Sequence, residues 1–522
     1  MMQTNDWTLR HETVLTPVLL PELTQEQSIE LDYVLPDYYP DFFRLLCCHA
    51  DTSVTSQSIA DGVLQYALHV QLHVLYCGEQ AESIQSLTQQ LDYHGQITLP
   101  PEYHTAENLQ IRLTAEPSYL NCRAVSQRRI DLRGAVRIRA ALSGEQPAAI
   151  LCGAEGLHIQ TQAVPVSYVS QVLRTEKCFT LSDDIRLSAA QPALLTVLRS
   201  QTVLSVTETR IVAGKLVIKG EAAVTLLYSS SEGAETLSAV LPFSQIAEQD
   251  GLRDDMPCSV TAILSEQNFV PEAEQNGDIR LLHCNLQITL QCAAIRQASA
   301  ELLTDLYSTV CPAELHRETV SIVTAPMPVT ERMQQKITLT QPDAVLTKVY
   351  AAWAVSEDLH TVQNAENGTA LNGSVHICVL AADAENHPVI LEQQTPFAWE
   401  LPHLHPASLL PPVQVQNCSY TLTGSDTVIV QAELLLSGQI MQQQTQTLLT
   451  DVLIDPEVHL PAADHFALRL YFAQPDESLW EIAKRYHTSE SAIRKEEKYE
   501  KNSIGSSQHS YAVCTDYPLV RR

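Results

Sequence analysis

At 522 residues the chain is too long for one domain, and its 45% apolar content supports large buried cores rather than disorder. Its net charge of −29 is unevenly placed: residues 466–522 hold nine basic against eight acidic groups, and the remaining residues 23 against 53. So acidic a body argues against direct binding to nucleic acid or anionic lipid, and leaves a near-neutral C-terminal module as the contact element.

The N-terminal region has no basic stretch followed by an apolar core, since Val14 to Leu20 is broken by Pro17. No apolar run is long enough to span a bilayer, so neither an export signal nor membrane insertion is expected. Thirteen cysteines are scattered without a Cys-x-x-Cys pair. Cys284, Cys292 and Cys378 sit in alternating apolar runs, where a thiol behaves as a small hydrophobe. A reduced, cytoplasmic setting follows. Cys47 and Cys48, adjacent on a strand, point to opposite faces and read as packing rather than a redox pair.

From Leu31 to Arg44 the chain reads Leu-Asp-Tyr-Val-Leu-Pro-Asp-Tyr-Tyr-Pro-Asp-Phe-Phe-Arg. The turn signal Asp61-Gly62 and the alternating run Leu68 to Val74 follow, which predict a hairpin with one apolar face. Shifted by 152 residues, Pro40 falls on Pro192, Gly62 on Gly214 and Leu75-Tyr76 on Leu227-Tyr228. A further shift of 153 places Gly220 on Gly373 and Leu227 on Leu380, and Pro242-Phe243 recurs as Pro396-Phe397. Leu132, Val136 and Ile138 correspond to Leu282, Leu286 and Ile288, and Val428 to Leu436 is the third counterpart. The body is therefore three copies of one unit. Period-two alternation dominates and helical periodicity is scarce, so the expected fold is mainly β. It comprises three tandem antiparallel, sandwich-like repeats at 1–150, 151–325 and 326–460, with segments 143–181 and 296–337 donating strands of their own.

Candidate chemistry in the body is thin. Pro36-Asp37 and Pro40-Asp41 offer a carboxylate pair, but the later copies lose the acids while keeping the apolar frame, so a hydrated turn is the better reading. His69 and His73 share a strand face, yet no third ligand shows matching spacing, and an exposed polar face is expected there. Gly214-Lys215 lacks the rest of a phosphate loop. No metal, cofactor or catalytic residue is assigned, and the chain reads as a non-enzyme.

The C-terminal stretch is the most specific. Leu468, Leu470 and Phe472 alternate as a short strand, Gln474-Pro475-Asp476 forms a turn, and Ser478 with Glu481 makes a capping box. Leu479, Ile482, Ala483 and Tyr486 then define one buried helical stripe, and Thr488-Ser489 opens a second helix. Residues 466–515 are expected to form a small α+β (βααβ) module. Trp480 lies off the stripe and is expected to be partly exposed as a contact anchor. The partner-binding set is Gln474, Pro475, Asp476, Glu477, Trp480, Lys484, Arg494 and Lys495.

The order strand, turn, helix, link, helix, with Ser-Leu-Trp-x-Ile-Ala-Lys-Arg-Tyr at 478–486, resembles a LysM module. Pro475 stands where that family usually has Gly, and Glu497 where it usually has Asn, so its usual glycan loops are not reproduced. The Pro-Asp-x-x-Pro-Asp word at 36–41, with residues 62–76 and 127–134, is similar to the DUF3794 or SPOCS domain of endospore-forming bacteria. Three such copies and one LysM module resemble the SipL-type spore coat morphogenetic family. That resemblance implies an adaptor in the mother-cell cytoplasm, at the forespore surface, whose LysM module holds a SpoIVA-like coat ATPase and couples coat to cortex formation. Self-association fits the same reading. The alternative is a protein of the cell or spore wall that binds peptidoglycan or N-acetylglucosamine polymers.

Overall fold

The computed structural model describes residues 7–460, except 21, 79–83, 105–106, 276, 343–344, 365–367 and 407–408, together with 469–472, 477–494 and 510–513. The structure is mainly β, built of antiparallel sheets, as the alternation predicts. The first unit holds β1 (Thr8–Leu19), β2 (Leu23–Val34), β3 (Arg44–Ala60), β4 (Val63–Cys77), β5 (Ile84–Thr98), β6 (Glu107–Ser126) and β7 (Arg129–Glu155). β3-β4-β5 form one sheet, and β7 pairs with β6 on one edge and with β2 then β1 on the other. The hairpin between β3 and β4 closes on Asp61 and Gly62, both with positive φ (50° and 74°), the backbone that a two-residue turn with right-handed strand twist requires.

The second unit repeats this path with β8 (Ile159–Arg186), β9 (Thr196–Val212), β10 (Lys215–Ser230), β11 (Gly233–Glu248), β12 (Cys258–Ala273) and β13 (Ile279–Ser308). The third has β14 (Ala313–Thr340), β15 (Leu346–Asn364), β16 (Gly368–Asp383), β17 (Pro388–Leu401), β18 (Val413–Thr423) and β19 (Thr427–Ile454). β8 and β14 are continuous where the first unit has β1 and β2. Gly214 takes the place of Gly62, so Ala213-Gly214, with φ 52° and 73°, is the hairpin turn and Lys215 opens β10 opposite Val212.

Each unit packs its two sheets around its own core. Leu64, Leu68, Val70 and Leu72 meet Ile29, Leu132, Val136 and Ile138 in the first. Ile218, Val224 and Leu226 meet Leu282, Leu286 and Ile288 in the second, and Val375, Ile377 and Val379 meet Val428, Val430 and Leu434 in the third. The conserved spacing of the glycines has a packing reason: Gly220 lies directly opposite Phe243, and Gly373 opposite Phe397. A Cβ at Gly220 would stand 2.3 Å from the Phe243 ring and 2.5 Å from the Ser205 carbonyl oxygen.

The strands outlast the sandwiches. β1 with the end of β7, the start of β8 with the end of β13, and the start of β14 with the end of β19 make three two-stranded ribbons. Their apolar faces meet in a shared hub, where Val14, Ile150, Tyr168, Leu302, Ile322 and Leu448 pack together, all at most 3% exposed. Strand pairing runs the units over 8–155, 159–308 and 313–454, so residues 150 and 325 fall inside β7 and β14. At the other end of the assembly Leu75, Leu227 and Leu380, equivalent positions in the three copies, share a second inter-unit cluster with Trp353 and Cys378.

Beyond the third unit lie β20 (Arg469–Phe472), α1 (Leu479–Arg485), a helix over 490–494 and β21 (Ser510–Val513), which pairs with β20. Among the described residues no helix is long and apolar enough to cross a membrane.

Candidate functional site

Helix α1 starts as its sequence dictates. Ser478 has extended backbone and its hydroxyl accepts the Glu481 N–H at 3.2 Å, while the Glu481 carboxylate accepts the Ser478 N–H, also at 3.2 Å. Ile482, Ala483 and Ile493 are fully buried, with Leu479 and Tyr486 partly buried around them.

Trp480 departs from expectation. It is 9% exposed, because its ring meets Tyr307 of β13 edge-on at 4.9 Å between centroids. Its indole N–H donates to Asp305 Oδ2 at 2.7 Å. Lys484 Nζ donates to both oxygens of Asp305, each at 2.7 Å, and Arg317 donates to Oδ1 at 2.5 Å. The Tyr307 hydroxyl completes the seat by donating to the Thr488 carbonyl at 2.6 Å. Burial alone would raise the Asp305 carboxyl, but the hydrogen bonds from Lys484 and Trp480 outweigh it and hold the group below the usual range. α1 is thus docked on the second unit through the residues that the sequence singles out for a partner.

The remaining predicted residues are placed differently. Glu477 accepts from the Tyr471 hydroxyl at 2.6 Å and pairs with Arg485 at 2.7 Å, so it braces the module internally. Arg494 is exposed, 3.4 Å from Glu490 one turn away. Gln474, Pro475, Asp476 and Lys495 lie outside the described residues. Sequence reasoning missed Asp305 and Tyr307. Their only signal was a carboxylate interrupting the apolar run Leu302 to Tyr307.

The Pro-Asp loop is a clamped turn. Arg128 pairs with Asp41, donates to the Pro36 carbonyl at 2.7 Å and to the Leu35 carbonyl at 3.2 Å, and the Tyr76 hydroxyl donates to Pro40 at 3.2 Å. The second unit keeps the clamp without the acids. Arg280 donates to the carbonyls of Ser188 and Gln191 at 2.7 and 2.8 Å, and Tyr228 donates to Pro192 at 3.3 Å. A feature that survives loss of the carboxylates is structural.

The polar face of β4 does not look into water. His73 is 7% exposed, and His69, with His49 and Asp51 of β3, lines a cavity of about 700 Å³ where the three units face one another. From β3, His49 stacks on His73 with centroids 4.8 Å apart and rings 12° from parallel, and Asp51 Oδ2 lies 3.3 Å from His73 Nε2. Arg199 of the second unit reaches His49 Nε2 at 2.5 Å while lying over the Trp353 ring of the third at 4.7 Å. Burial, and then the Arg199 charge, push the His49 imidazole well below its usual range. Among the described residues His49, Asp51 and His73 are the set whose spacing suits a metal ion.

No curated protein and no solved structure matches the chain. A protein-family model described as SipL, SPOCS domain, matches residues 194–270. That stretch runs from the residues before β9 into β12, so the match lies in the second unit. Over those four strands the chain is similar to the SPOCS domain of SipL.

Proposed function

We propose that this protein is a non-enzymatic assembly adaptor of endospore formation, acting in the mother-cell cytoplasm at the forespore surface. Its LysM-like module grips a SpoIVA-like coat ATPase, localises coat and couples it to cortex formation. The observation that carries this reading is the match of residues 194–270 to the SPOCS domain of SipL. The order of three repeats and one LysM-like module adds to it. The docked state of α1 adds a requirement: a partner that takes the Trp480 and Lys484 face displaces Asp305, and so presents a carboxylate of its own.

The test is a pull-down from sporulating cells with the full chain, a chain ending at residue 460, and Asp305→Ala. The full chain retains the coat ATPase, the shortened chain loses it, and Asp305→Ala retains more. Equal retention by the shortened chain overturns the reading. Calorimetric binding of the full chain to peptidoglycan or N-acetylglucosamine oligomers would favour the wall-binding alternative.

A further inference from the structure

We propose that His49, Asp51 and His73 bind one divalent transition-metal ion of the zinc and cobalt type, at the seam between the three repeats. His49 and His73 are directly opposed on β3 and β4, so their rings project from one face of the sheet. Asp51 lies two residues beyond His49 and shares that face. The ligand atoms of all three lie within 4.8 Å of one another. Donors about 2.0–2.2 Å from a tetrahedral ion are roughly 3.3–3.5 Å apart. The 3.3 Å between His73 Nε2 and Asp51 Oδ2 meets that spacing, and the 3.9 Å between His49 Nε2 and the same oxygen needs only a small closure.

One unmet polar atom points the same way. His73 Nε2 is buried without a hydrogen bond, although Asp51 Oδ2 stands only 3.3 Å from it. Leaving such a group unmet is costly, and a metal ion is what two imidazoles and a carboxylate satisfy together. Thr88 Oγ1 stands 3.3 Å from His73 Nδ1 and orients the ring so that Nε2 faces the ion, as partners one step removed from a metal commonly do. Two imidazoles and one carboxylate leave coordination positions open to the cavity, where Gln201, Gln394 and Glu357 also line the wall. The site belongs to the first repeat alone: the copy-two equivalents of His49, Asp51 and His73 are Gln201, Val203 and Thr225.

Arg199 opposes the ion. Its guanidinium takes the His49 Nε2 lone pair and would sit beside a dication. Binding therefore requires Arg199 to swing off His49, with the carboxylates of Glu357 and Glu392 on the same wall to receive it. Removing the guanidinium is expected to tighten the site.

The test is titration of the full chain, stripped with chelator, with cobalt(II). One ion per chain should give visible ligand-field bands without thiolate charge transfer, and zinc should displace it. Asp51→Asn, nearly isosteric, and His73→Ala should weaken binding by about a hundredfold or more, beyond the loss typical when a partner one step removed is mutated. His69→Ala should bind as wild type, since His69 is engaged with Asp92 at 2.7 Å. Arg199→Gln should bind more tightly. A thiolate band, absence of stoichiometric binding, or wild-type affinity in folded Asp51→Asn overturns the proposal.

Discussion

Asp305 of β13 and Lys484 of α1 form a two-oxygen ion pair across 179 positions of sequence, with the Trp480 indole N–H on the same carboxylate. The carboxylate thus satisfies two groups of the module at once, and each would otherwise have to find water. Asp305→Ala should release the module at a cost of about 1–3 kcal/mol, the scale of losing charged hydrogen bonds in a partly buried site. Hydrogen exchange over residues 479–494 should rise while the β body stays protected.

Acid should act on the same contact. The docked Asp305 carboxyl is held below its usual range. A depressed carboxyl contributes stability that is full above the undocked value of about 4 and is lost as pH falls through the lower docked value. Docking should therefore hold from neutral pH down to about pH 4 and weaken only below it, and Asp305→Asn should flatten that dependence. Hydrogen exchange of α1 at stepped pH measures it.

Inside the module the core and the seat separate by mutation. Ile482→Ala opens a cavity at a fully buried position and should cost about 2–5 kcal/mol, unfolding so small a core. Trp480→Ala should undock α1 but leave the Ile482, Ala483 and Ile493 contacts in place. Loss of α1 protection with retained helix signal distinguishes the second from the first.

The clamps of the Pro-Asp loops differ in what they leave behind. Arg128→Ala takes a donor from the Leu35 and Pro36 carbonyls and from the Asp41 carboxylate, whereas Arg280→Ala takes donors from carbonyls alone. Each should destabilise by about 1–3 kcal/mol, with Arg128→Ala the more costly, as thermal melting of the two variants would show. Asp41→Asn should be milder than either.

Gly220→Ala should cost roughly 1–3 kcal/mol, because the added methyl meets the Ser205 backbone oxygen as well as the Phe243 ring. A denaturant midpoint unchanged from wild type would contradict the cross-strand packing described for that pair.

Much of this architecture was legible in the chain. The offsets near 152 and 153 placed Gly220 on Gly373 and Phe243 on Phe397 before any strand was paired, since the same cross-strand contact recurs in the second and third copies. The capping box of Ser478 was equally plain, because its partners are three residues apart. The seat of Trp480 was not, as it depends on a carboxylate in another repeat. The histidine cluster was hidden by a bulge. A regular hairpin closed on Asp61 and Gly62 would set Ala50 opposite His73, but the shift between Val54 and Ser56 brings His49 there instead. One extra residue thus decides which side chain shares a face with His73, and a reading of alternation alone cannot see it.

The hub of three ribbons makes the body a covalently linked trimer. A true homotrimer would carry every seam residue three times, whereas linked copies are free to diverge around a shared axis. Here His49 and Asp51 come from the first copy, Arg199 from the second and Trp353 from the third. The seat for α1 is single for the same reason. The positions equivalent to Asp305 and Tyr307 are Gly153 and Glu155 in the first copy, and Asp451 and Leu453 in the third. Only the second copy pairs the acid with the aromatic ring, so an internally threefold body offers its one C-terminal module one berth.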